Sequence, residues 1–234
     1  LIWELTEKHP VVDLTLYQRR NFWAGSLALS IAYGVFFGNV VLLPLWLQQY
    51  MGYTATQAGM VLAPVGVMAL VLSPVVGKSI GKVDPRYFAT FAFLVFALVL
   101  WMRSHFNTQA DIATIMIPTI IQGVAMAFFF IPLVTITLSG LPPERIPAAS
   151  GLSNFTRITA GAVGTSVATT LWESRAAMHH AHLVESITLG NPIASGALSG
   201  LASSGINAEQ ALAQVNRMVD QQAFMLAAND IFYM

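Results

Sequence analysis

Apolar residues come along this chain in long runs rather than in the alternating or one-faced patterns of a soluble fold. From Asn21 to Gly77 there is no Asp, Glu, Lys, Arg or His, and such a run far exceeds the ~20 apolar residues that cross a bilayer. It must hold two spans. With that length as the template, spans are predicted near 22–48, 56–77, 87–102, 112–138 and 147–172, and a sixth starts near 226. Residues 1–20 then read as the end of a preceding span or an interfacial segment, with Val12, Leu14 and Leu16 alternating against polar neighbours. Residues 21–172 read as five transmembrane helices, 173–225 as a long loop with helical parts, and 226–234 as the start of the last transmembrane helix.

Charge gives the pattern a direction. Arg19 and Arg20 precede the first span, Lys78, Lys82 and Arg86 lie between the second and third, and Arg145 lies between the fourth and fifth. The alternate connections hold few basic residues, with Arg103 assigned to the loop after the third span. Because Lys and Arg are retained on the cytoplasmic side, the chain is expected to enter the membrane from the cytoplasm and to place 173–225 outside. That loop divides into a polar helical continuation, ESRAAMHHAHLVES, a Gly/Ala/Ser-rich link, and a helix led by Asn207 as N-cap. Composition agrees: 56% of residues are hydrophobic and only 9% charged, against about 25% charged in soluble domains. Net charge is zero and there is no Cys, so nothing points to nucleic acid, and disulfide and thiolate chemistry are excluded. Opening on Leu1 and closing on ANDIFYM, where an apolar run begins, the chain reads as an internal stretch of a longer polypeptide.

Three stretches carry more than hydropathy. The loop GKSIGKVDPR, Gly77 to Arg86, is tight and basic; its glycines would let two helix ends approach, and Asp84 can pair with Lys82 or Arg86 or cap the next helix. On the fourth span Thr114, Pro118, Gln122, Ala125, Phe129 and Pro132 share one face. An amide and an aromatic ring on such a face suit a cavity for apolar ligands, and Tyr33 and Asn39 on the first span are similar candidates. The prolines within the runs (Pro44, Pro64, Pro74, Pro118, Pro132) are tolerated where neighbours or a cavity satisfy the freed carbonyls. On the fifth span Ser150, Asn154, Arg157, Gly161, Gly164 and Ala168 share a face, opposite Leu152, Phe155, Val163, Val167 and Leu171. The small, polar face is expected to point into the protein. Arg157 stands roughly 15 Å along that helix, where a central Arg costs roughly 2.5–3.5 kcal/mol. Either its stem snorkels to the interface or it is a functional cation.

The spacing of the Gly77–Arg86 loop is similar to the loop between the second and third helices of each half in the major facilitator superfamily: Gly77, Lys82 and Arg86 match the pattern, while Gly81 and Asp84 stand where Asp and Gly are expected. Together with WELTEKHPVVDL, APVGVMALVLSPVVGKSIGKVDPR and GLSNFTRITAGAVGTSVATTLWESRAAMHHAHLVES, the chain resembles the C-terminal half of the EmrB-type, fourteen-helix drug:proton antiporters. The resemblance implies an all-α membrane protein, the C-terminal six-helix bundle of a major facilitator fold with its last helix truncated. It implies proton-coupled multidrug efflux by alternating access across the bacterial inner membrane, with no cofactor beyond the proton gradient and no enzymatic step. Implied partners are the lipid bilayer, apolar drug-like molecules, protons, a periplasmic membrane-fusion adaptor and an outer-membrane channel. The expected cavity residues are Arg157, Asn154, Gln122, Phe129, Tyr33 and Asn39; the expected cytoplasmic gating loop is Gly77, Lys82, Asp84 and Arg86.

Two other classes compete. His179, His180 and His182 could serve an intramembrane metal-dependent enzyme, since imidazole suits zinc, but only Glu185 stands nearby as a further ligand. A scaffold or channel subunit would show no ion-coupled transport. No carboxylate lies within the five complete spans, so the proton-binding acid is expected in the remaining polypeptide.

Overall fold

The computed structural model describes residues 13–185, 187, 191, 195–196, 199–200 and 207–234. The expectations for Val12, for most of residues 1–20 and for most of the Gly/Ala/Ser-rich link fall outside them. Among the described residues six long α-helices follow a 3₁₀ turn at Leu14–Gln18: α1 Arg20–Gln49, α2 Ala55–Ser79, α3 Pro85–Arg103, α4 Ile112–Leu138, α5 Ile146–Glu185 and α6 Ala208–Tyr233. Among the described residues α1 to α4 are long and apolar enough to cross a membrane. The other two are more polar: α5 carries Asn154, Arg157 and many Ser and Thr. It also runs unbroken past 172, and α6 runs unbroken across 225–226.

The helix starts are written in side chains. Thr54 and Gln57 form a reciprocal capping box on α2, satisfying two backbone donors that a helix leaves free. Asp84 caps α3 by accepting from Arg86 N at 2.9 Å, with Pro85 in the first turn, and Asn207 caps α6 by accepting from Gln210 N at 2.8 Å. Asp111 accepts from Thr114 N at 2.9 Å and from the Thr114 hydroxyl. The tight turns before α2 and after α4 use Gly52 and Gly140 at φ 73° and 76°, where a Cβ would be strained.

The Thr114 bonds hold the Asp111 carboxyl below its ordinary value. The cap is therefore intact above the unfolded-state value, near 3.9, and is lost as pH falls through the lower folded-state value. Amide exchange at 112–114, corrected for intrinsic rates, should rise as pH is lowered to about 3. An Asp111→Ala variant should be unprotected there at neutral pH and change little. Equal protection in both proteins would contradict the cap.

Between membrane helices, close backbone packing replaces the hydrophobic effect as the main attraction, and the small residues sit accordingly. α1 lies along α5 through Gly34, Gly38, Gly164 and Ala168: a Cβ on Gly38 would fall 2.9 Å from the Ala168 Cβ, and one on Gly34 would fall 3.1 Å from Ala160 O. α4 packs between α2 and α3 and also touches α1; Gly123 admits the Val65 carbonyl, 2.8 Å from where its Cβ would be. α6 packs on α5 and reaches α1 and α3. Its contacts lie at the end opposite the basic loops, where Trp172 Nε1 donates to Phe224 O and Asn229 Nδ2 donates to Phe106 O.

Three sequence expectations change here. Leu152, placed on the outward side of α5, is buried with Leu16, Phe22 and Ala149, because the 3₁₀ turn before α1 folds over that part of α5; Tyr17 and Thr156 share a hydrogen bond of 2.6 Å. Phe155, Val163, Val167 and Leu171 do face outward. Gly77 and Gly81 do not serve a close approach, since an added Cβ at either meets nothing within 4 Å. And Arg103 is no loop residue: it ends α3 and is 1% exposed.

Candidate functional site: two cavities and a charged outer cluster

Arg157 projects from α5 onto aromatic rings of two other helices. Its guanidinium carbon lies 4.6 Å from the Tyr33 ring centre on α1 and 6.0 Å from that of Phe130 on α4. Tyr33 and Phe130 meet edge to face at 5.3 Å, and Phe37 extends the group at 5.0 Å from Tyr33. Ring faces carry negative electrostatic potential, so such a stack holds a cation without neutralising it. Room for the rings comes from Gly161, whose absent Cβ would touch Tyr33 and Phe37 at 3.5 Å.

One arm of the guanidinium, Nη2, donates to Asn154 Oδ1, one turn earlier on α5. The Nε is buried without a hydrogen-bond partner among the described residues. None of the ion pairs among the described residues involves Arg157. Beside it, between α1, α4 and α5, is a cavity of about 380 Å³ whose lining includes Leu29, Val134, Ser150, Ser153, Asn154 and Arg157. The site therefore offers one unneutralised cation, an amide, hydroxyls and apolar walls, which suits binding and orientation rather than bond-breaking.

Asn39, Gln122 and Phe129 are brought together elsewhere. They line a second cavity, about 370 Å³, between α1, α3 and α4. Of the predicted α4 face, Pro118, Gln122, Ala125, Phe129 and Pro132 are buried, whereas Thr114 is exposed at the helix start. Arg103 is the residue that sequence reasoning missed: its Nη2 donates to Gln122 Oε1 at 2.6 Å, and its guanidinium carbon lies 5.9 Å from the Phe232 ring of α6. A signal existed. Ala89, Ala92, Phe96, Val99 and Arg103 recur at three- and four-residue spacing, so the cation continues the inward face of α3.

Gly77, Lys82, Asp84 and Arg86 are exposed and line neither cavity. Of the roles open to Asp84, the fold uses the cap.

The histidines do not converge. His179 Nε2 lies 2.9 Å from Asp230 Oδ2, which Arg175 also approaches at 3.5 Å. His180 faces Asp220 and Asn216 at 3.4 and 3.3 Å, and His182 is exposed. Among the described residues no three metal-ligating side chains gather. Asp230, a carboxylate on α6 held between His179 and Arg175, was not singled out in the sequence, because the apolar run around it is short. Nearby, Tyr50 stacks on Phe224 at 4.2 Å, and burial, then the charges of Asp220 and Glu173, push its phenol up to about 12.

The residue pattern of the Major Facilitator Superfamily matches residues 4–165. The chain belongs to that superfamily. It is 47% identical to the multidrug export protein EmrB of Escherichia coli strain K12 over 235 aligned residues, covering 100% of this chain and 46% of that protein. It is 43% identical to the fatty acid resistance protein FarB of Neisseria gonorrhoeae, covering 99% and 46%, and 41% identical to EmrB of Haemophilus influenzae, covering 100% and 46%. The EmrB-type resemblance read from the sequence holds along the whole chain. The chain spans about half the length of these relatives. Among the described residues four helices are long and apolar enough to cross a membrane, and no metal-ligating cluster of the kind the metalloenzyme reading needs is present.

Proposed function

We propose that this chain is the C-terminal bundle of a proton-coupled multidrug exporter of the bacterial inner membrane, working by alternating access. The carrying observation is Arg157, held on Tyr33 and Phe130 beside a mixed polar and apolar cavity, with no ion pair to an acid among the described residues. A cation kept at that depth is costly, and an exporter recovers the cost in a transport state where the Arg meets a substrate group or an acid of the other bundle. The names of the relatives, multidrug export and fatty acid resistance, favour apolar and amphiphilic substrates. Of the expected assembly, a periplasmic adaptor would dock on the outer part of α5, α6 and the link between them, and an outer-membrane channel would follow through it. No enzymatic step is proposed, and the gradient is the energy source.

The coupling test uses the full-length protein in inside-out vesicles, with drug uptake driven by an imposed pH gradient. Each acid of this segment, Asp230 included, is changed to its amide. The expected result is gradient-driven uptake in every variant, the essential proton-binding carboxylate lying in the rest of the polypeptide. Complete loss of coupling in Asp230→Asn with normal folding would move the proton site to α6.

A further inference from the structure

The 3₁₀ turn at Leu14–Gln18 and its flanks are bound to a part of the fold distant in sequence. Asp13 reaches Arg145 at 3.7 Å, Arg19 Nη1 donates to Gly140 O at 3.0 Å, and the Tyr17 hydroxyl meets Thr156 Oγ1 at 2.6 Å. Beneath these ties Leu16, fully buried, packs with Phe22 of α1 and with Ala149 and Leu152 of α5. The Asp13–Arg145 pair is largely solvent-exposed and contributes little by itself. The attachment is carried by Leu16 and by the part-buried Tyr17–Thr156 bond. Thr156 Oγ1 also donates to Leu152 O at 2.9 Å; a hydroxyl has one proton to give, so Tyr17 is the donor in the shared bond.

This attachment completes a frame around the Arg157 cavity. α1 is pressed on α4 at Gly25, where an added Cβ would fall 2.6 Å from Thr137 Oγ1 and 2.9 Å from Thr137 Cα, and on α5 where Gly34 meets Gly164. Of the cavity lining, Leu29 lies between Gly25 and Gly34 on α1, Val134 lies one turn before Thr137 on α4, and Ser153 lies between Leu152 and Thr156 on α5. Tyr33, over which the Arg157 guanidinium sits at 4.6 Å, adjoins Gly34 and so belongs to a fixed wall. What remains to be set is the rotation of the first turns of α5, which carry Asn154 and Arg157. Thr156 precedes Arg157 by one residue, about 100° round the helix. Helix hydrogen bonds make such neighbours turn together, so a bond that fixes Thr156 also fixes the direction in which Arg157 leaves the backbone.

We infer that the Leu14–Gln18 turn is a clasp at the basic end of the bundle that sets Arg157 on its aromatic seat, with Tyr17 and Thr156 as positioning residues. Without their bond the first turns of α5 rotate about the Leu16 contact, and the guanidinium leaves the Tyr33 face while keeping its charge. With it, α1 and α5 carry ring and cation as one unit. The clasp is built from contacts within this chain; its bearing on substrate rests on the efflux reading.

The test is the rate at which phenylglyoxal modifies Arg157 in the full-length protein in nanodiscs, read by peptide mass spectrometry, with Arg175 as the internal control. Tyr17→Phe, which keeps the ring and removes the donor, should speed modification of Arg157 about two- to tenfold, the range that one neutral hydrogen bond supplies. Thr156→Val, which keeps the shape and removes the acceptor, should do the same. Thr156→Ser should stay close to the unmodified rate. The double variant Tyr17→Phe/Thr156→Val should react no faster than either single, because both remove one bond. Arg175 should react equally in all of them. The proposal is overturned by an unchanged Arg157 rate in Tyr17→Phe, by additive effects in the double variant, or by an equal rise at Arg175, which would mean general loosening. Modification uses neither drug nor proton gradient, so a protein that fails to export would refute the efflux reading and leave the clasp to be judged on these rates.

Discussion

Replacing Arg157 by alanine in the full-length protein should cut drug export about tenfold or more at normal membrane levels. A cation–π contact is worth roughly 0.5–2 kcal/mol, and a charge-assisted bond to a substrate or partner acid adds to it; each 1.4 kcal/mol is about a factor of ten. Arg157→Lys should restore only part of the activity. An ammonium keeps the charge over Tyr33 but loses the planar fork that lies on the ring while bonding Asn154. Tyr33→Leu should fall between, keeping the cation and removing the surface that positions it. Full export by the alanine variant would leave Arg157 as a snorkelling residue of no functional weight.

The largest structural effect is expected at Gly164. A Cβ there would drive into the Gly34 backbone, well inside van der Waals contact, and no flexible side chain can move aside. Overpacking typically costs 1–3 kcal/mol and occasionally more. Because α1 and α5 meet along this line, Gly164→Val should separate them, with most of the protein failing to reach a monodisperse folded state in detergent. Gly161→Ala, whose Cβ would make ordinary 3.5 Å contacts with two rings, should be tolerated. Size-exclusion profiles and thermal unfolding of the three proteins check this order, and a well-folded Gly164→Val protein would contradict the close approach.

What the sequence revealed and what it hid follow from the same physics. Helix positions were legible because crossing a bilayer demands length and apolarity in one stretch, and because Asp84 and Asn207 mark their starts by cap chemistry. The inward face of α5 was legible through the spacing of its small residues, and Gly161, Gly164 and Ala168 do meet α1. The partners of that face were not: only three-dimensional packing sets Arg157 over Tyr33 while sending Asn39 and Gln122 to another cavity. Arg103 was hidden by the expectation that a cation after an apolar run is a loop residue. Leu152 was hidden because the 3₁₀ turn that covers it belongs to a segment distant in sequence.

The central claim, that substrates lodge against Arg157 and Tyr33, is tested most directly by labelling the full-length protein with a photoactivatable apolar drug that it exports. The account predicts saturable adducts on peptides carrying Tyr33, Phe130 and Asn154–Arg157, reduced strongly in Arg157→Ala. Adducts confined to other parts of the protein, and unaffected by that substitution, would contradict it.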